Sequence, residues 1–236
     1  MENAGSLLVS VRADARQMVG PDYLEVTVMI GHTAGSRAEA VRMVAATEDR
    51  LTADLAALGG VPLDQGAGRH PLTWLAHSSS IHEERRHDKE TGRAELTGQV
   101  SASVAVRIAA RELDALHTLT AVLMAHPGVN VHSVSWHADW DNPAWPGVRA
   151  RAIQAAIGKA RDYATALGAT IEQIEHIADA GLLGGDRASY ESRQVLWSAR
   201  AASRGGPETP ALNPAPIDLI ATIEARVRCT GASLPE

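Results

Sequence analysis

The residues best able to do chemistry are histidines and the carboxylates close to them. His132, His137, Asp139 and Asp141 fall in one short stretch. Imidazole and carboxylate are both ligands for divalent ions. The stretch has neither the His-x-x-x-His nor the Glu-x-x-His spacing that sets two ligands on one helical face. Read plainly, it is a polar loop whose Trp136, Trp140 and Trp145 pack over a sheet edge. An enzyme that binds a metal or small molecule through His132–Asp141 is therefore the alternative function. No metal, cofactor or catalytic residue is assigned.

A second group is His77, His82 and His87 with Glu83, Glu84 and Asp88. Protonation near neutral pH would change how these histidines pair with the acids. The plainer reading is a solvated charge run. Arg85-Arg86 is too short, and too balanced by acids, for a nucleic-acid surface. Cys229 is the single cysteine, so one chain can form neither a disulfide nor a thiolate metal site. It alternates with apolar residues and reads as a buried, inert thiol. Arg228 next to it points to the opposite face. Ser78-Ser79-Ser80 lacks the Gly-x-Ser-x-Gly elbow, and no Ser-x-x-Lys is present. Gly66-x-Gly68 and the glycines between 181 and 185 lack a phosphate-binding continuation.

The chain has 236 residues, 45% hydrophobic and 21% charged, with a net charge of -6. That composition is globular. The negative balance disfavours nucleic acid and anionic lipid as partners. No stretch approaches the ~20 apolar residues of a membrane-spanning helix. The first residues lack the basic region of a secretory signal, so a cytoplasmic location is expected.

These groups must be positioned by sheets and helices. Leu24, Val26, Val28 and Ile30 alternate with polar residues after the turn Gly20-Pro21-Asp22. A strand is also expected over Leu7–Arg12. Ser36 begins a capping-box pattern for a helix that ends at Gly59-Gly60. Residues 71–75 read as a strand and 77–93 as a solvated hairpin. Leu96 to Ile108 is the clearest alternating run, with Gly98 marking a bulge or bend. A second helix is expected over Ala110–Ala125 and a strand over Val129–Trp136. An alanine-rich helix then runs to Leu167, and a short strand follows over Ile171–Ala178. Residues 181–215 form a long loop, either functional or disordered. Ile217 to Cys229 alternates as a final strand, expected to pair with the other long strands and to offer a free edge. One polar face per strand calls for helices on one side only. The fold class is α+β: mainly antiparallel sheet with three main helices, built from two loosely similar strand-helix-strand units.

This order resembles the SIMPL domain family, also called the domain of unknown function 541. Gly20-Pro21-Asp22 and its strand are similar to the family's Pro-Asp start. Ser36 to Gly60 followed by Val61-Pro62-Leu63-Asp64 is similar to its first helix and return. Val100 to Leu116 is similar to its long strand. Val148 to Ala160, continued by Tyr163-Ala164 and Leu167-Gly168, is similar to its Ala-Arg-x-x-Ala-x-x-x-Ala-x-x-Lys-Ala helix. The family includes a Brucella outer-membrane-associated antigen, envelope proteins linked to oxidative stress, and a mammalian protein that binds a pelle-like kinase. With no long linker before residue 181, the chain reads as a single SIMPL-like domain over 1–236, with a protruding hairpin at 77–93 and a loop at 181–215. The resemblance implies self-association, in the Brucella case into a ring- or channel-like assembly, and no catalytic residues. The leading expectation is a non-enzymatic, self-assembling scaffold or partner-binding protein with a link to stress.

Overall fold

In the computed structural model the described residues are 6–65, 70–87, 94–182 and 212–231. They fall into two compact units. The first takes the described residues up to Gly20, those from Ala138 onward and those from Pro216 onward. The second takes Pro21–His137 together with the described residues 212–215.

Alternation builds the sheet of the second unit. Strands β2 (Tyr23–Ala34), β3 (Val61–Pro62), β4 (Leu72–His87), β5 (Ala94–Ala110) and β6 (Val129–His137) lie in the order β3-β4-β5-β2-β6. All pairs are antiparallel except β3 with β4. Leu24, Val26, Val28 and Ile30 of β2 face the same side as Val104, Val106 and Ile108 of β5, and all are buried. Helices α1 (Arg37–Ala57) and α2 (Leu116–Ala125) cover that side with Leu51, Leu55, Leu119 and Leu123. Trp74, Trp136 and Leu212 pack against the same cluster.

Local chemistry sets the helix ends. The Ser36 hydroxyl accepts from the Glu39 amide at 3.3 Å and caps α1. The Gly60 amide donates back to the Leu55 carbonyl and closes it. The second helix begins later than its sequence pattern suggests. β5 runs on through Ala110, a 3-10 turn covers Leu113–Ala115, and α2 starts at Leu116. Ala109 and Ala110 fit strand or helix equally, and the strand pairing opposite Leu72 and Thr73 decides. The two helices of the strand-helix-strand units also differ, with 21 residues in α1 and 10 in α2.

The first unit holds a three-stranded antiparallel sheet, β1 (Leu7–Val19), β8 (Ile217–Thr230) and β7 (Thr170–Asp179), in the order β1-β8-β7. The final strand is thus central, not an edge, and it pairs with neither β5 nor β2. An alternating pattern fixes which face a strand buries and says nothing of its partner. Helix α3 (Trp145–Ala166) lies on this sheet with Val148, Ala152, Ala156, Ala160 and Ala164, all buried. Small side chains every four residues let the helix approach Val9, Val11, Val227 and Cys229 closely. The β1–β8 register runs without a shift. The β7–β8 register shifts twice, at Glu172 and at Glu175.

Deep burial predicts the cost of truncation. Leu24→Ala should lower unfolding free energy by about 2–5 kcal/mol in urea melts, because the cavity lies under two helices. Leu96→Ala, on an exposed side chain, should stay within about 0.5 kcal/mol. Burial on α1, with Asp49 beside it, raises the Glu48 carboxyl above its ordinary value. A raised acid favours the fold fully below its unfolded pKa of 4.5 and loses that contribution as pH climbs through the folded value. Glu48→Gln should therefore melt higher than the parent at pH 7, with the gap closing below pH 4.5.

Candidate functional site

The histidine and carboxylate candidates sit at a bulge, in a ring stack and in a turn. His132 is the extra residue of a bulge in β6, opposite Thr27 and Val28, and is exposed. His137 ends β6, and its ring stacks on Tyr23 with centroids 4.9 Å apart. Its carbonyl accepts from the Asp22 amide at 2.8 Å, and its buried Nε2 has no hydrogen-bond partner among the described residues. Asp139 and Asp141 belong to the first unit, whereas His132 and His137 belong to the second. The Asp139 carbonyl accepts from Trp145 Nε1 at 2.8 Å, and Asn142 Oδ1 accepts from the Ala144 amide at 2.9 Å. This stretch builds the turn that leads into α3. Among the described residues, no three His, Cys, Asp or Glu side chains stand together as a cation site. Of the three tryptophans, Trp136 and Trp145 pack on the cores of their own units, while Trp140 is 82% exposed. The loop does not hold all three against a sheet edge.

The other candidates scatter in the same way. Cys229 is fully buried against α3. Ser78, Ser79 and Ser80 alternate between the two faces of β4, and Ser80 Oγ meets Ser103 Oγ at 2.9 Å. Gly66 and Gly68, residues 88–93, and 183–211 of the long loop lie outside the described residues.

What the fold does assemble is a projecting ribbon. β4 and β5 stay paired as far as His87 and Ala94. Beyond Ala102 most of their side chains are exposed on both faces. Thr97, Gly98 and Gln99 together oppose Glu84, and Gly98 takes φ +76°, which glycine adopts without strain. The bulge seats the Glu84 carboxylate beside two hydroxyls. Oε1 accepts from Ser101 at 2.8 Å and from Thr33 at 3.1 Å. Thr97 Oγ1 donates to the Glu84 carbonyl at 3.1 Å. One face of the ribbon root is therefore a hydroxyl lattice tied to one acid. The other face carries Ile81, Val100 and Leu96, a continuation of the core stripe past its helical cover. His77 sits in a second bulge on β4, and His82 lies opposite Ser101, both exposed.

The second unit also has an open hollow of about 600 Å³ lined by Pro21, Asp22, Arg111, Leu113, Asp114 and His117, among others. Arg111 lies over the Tyr23 ring, 4.8 Å from its centroid. Nothing in the sequence joins residues 21–22 to 111–117. Only the β2–β5 register does, by setting Leu24 opposite Ala110. The hydroxyl lattice is equally hidden, because Thr33, Ser101 and Ser103 read as the wet side of ordinary strands.

The family model for SIMPL, described as a protein of unknown function (DUF541), matches residues 9–229. The chain belongs to the SIMPL family. No curated protein matches it significantly. The SIMPL match spans both units, from β1 to the last residues of β8. The Ala-rich SIMPL helix is α3, and Ala152, Ala156 and Ala160 of its motif are the residues pressed against the sheet. The Gly20-Pro21-Asp22 turn links β1 to β2. These motif residues thus shape the fold. Among the described residues, no helix is long and apolar enough to cross a membrane.

Glu84→Ala should loosen the ribbon locally. Amide exchange at residues 80–86 should accelerate roughly 5- to 150-fold, the equivalent of about 1–3 kcal/mol of lost charge-assisted bonding, with the main urea transition unmoved.

Proposed function

We propose that this SIMPL protein acts without chemistry of its own, as a self-assembling scaffold that offers a ribbon to a protein partner. The ribbon carries the reading. Two paired strands leave the core, with Ile81 and Leu96 uncovered beside Glu83 and Arg85. An apolar strip rimmed by charges of both signs suits a protein partner better than a polyanion. Main-chain groups along the outer rim of β4, past its short pairing with β3, suit partners that add a strand. A part in stress response belongs to the same proposal and rests on the family resemblance, and a cytoplasmic setting rests on the lone thiol.

Light scattering on the full chain should give a mass that is a multiple of one chain. A variant whose ribbon is closed by Asn-Gly between Ile81 and Ala102 should keep its circular dichroism and lose a partner captured from native cells. A monomer at every concentration, or equal capture with and without the ribbon, would overturn the proposal.

A further inference from the structure

The outer rim of β1 is complementary to itself. On that side of β1 no strand pairs among the described residues. β1 is 13 residues long, with no proline and no register shift, so its unpaired peptide groups form a regular template. Met18 is 69% exposed and Leu8 is 50% exposed. Asp14 lies two residues from Arg12 and two from Arg16, on the same face. Laid antiparallel to a copy of itself with Ala13 on the two-fold axis, β1 sets Leu8 opposite Met18 and Arg12 opposite Asp14, each twice. Val11 then faces Ala15, and the smallest side chain sits where the strand meets itself. A two-fold axis normal to the sheet keeps each face on its own side, which requires partners of like parity. This register satisfies that.

The peptide groups agree. The Arg12 carbonyl accepts from Lys159 Nζ at 3.2 Å. The Thr222 carbonyl of β8 accepts from the Ala180 amide, on the β7 side. Arg12 pairs with Glu224 in register, so even-numbered residues of β1 direct their backbone outward. Arg12 and Asp14 of the second copy are then a hydrogen-bonded pair. Ala13 meets its own counterpart as the close, non-hydrogen-bonded pair, with Cα atoms ~4.5 Å apart. Lys159 gives up one exposed bond and a backbone amide replaces it. Arg12 already contacts the Glu224 carboxylate. In the pair its guanidinium would lie between that acid and Asp14 of the second copy.

We propose that β1 pairs with β1 of a second copy about an axis at Ala13, joining two three-stranded sheets into one. This names the interface of the self-assembly proposed above and rests on that reading. Leu8→Glu and Met18→Lys, each alone, should weaken association at least tenfold in sedimentation. Together they should restore it, because the introduced carboxylate and the introduced ammonium would then face each other across the axis. Ala13→Cys should form an oxidised cross-link within the full chain. Ser10→Cys should not, since its counterpart lies ~20 Å away along the strands. Cys229 is buried and leaves the added thiol as the reactive one. Assembly that persists in both single variants, with no Ala13→Cys cross-link, overturns this interface and leaves self-assembly standing. A wild-type chain that stays monomeric overturns both.

Discussion

Each sheet in this protein is roofed on one side only, and that constraint governs the rest. Period-two alternation gives every long strand one apolar face, and the helices supply one cover per sheet. In the second unit Leu24, Val26, Val28 and Ile30 lie beneath α1 and α2. In the first, Val9, Val227 and Cys229 lie beneath α3. The opposite faces stay wet. The molecule therefore has much polar sheet surface among its described residues.

Burial and polar chemistry divide along the same line. On the helix side the closest packing comes from the smallest residues, the alanines of α3. On the wet side the ordered features are hydroxyls and ion pairs. Glu84 holds Ser101 and Thr33, the Arg12 guanidinium meets Glu224, and Arg228 meets Glu175. The ion pairs and the Glu84–Ser101 bond join neighbouring strands, and the Glu84–Thr33 bond reaches across β5 from β4 to β2. Pairs whose side chains are exposed add little stability singly, whereas the Glu224 carboxylate that meets Arg12 is itself buried.

Much of this is legible in the residues. The alternation at 24–30, 96–108 and 217–229 places three central strands, and Ser36 with Gly59-Gly60 brackets α1. Gly98 announces its bulge. The illegible parts share one physical cause: they depend on which strand lies beside which. The pattern at 217–229 fits any antiparallel neighbour, so its place between β1 and β7 cannot be read. Glu84, Ser101 and Thr33 become a group only through two strand pairings. His132 to Asp141 looks like a ligand set because closeness along the chain suggests closeness in space. In the fold they serve a bulge, a stack and a turn.

The two rims of the small sheet are unlike. β1 pairs with β8 without a shift, whereas β7 is broken at Glu172 and Glu175, where two acids interrupt the ladder. A sheet with two clean rims can recruit copies without end, and fibres are the outcome. Spoiling one rim makes lateral growth terminate after a single addition. In the β1 pairing proposed above, the irregular strand would act as a stop.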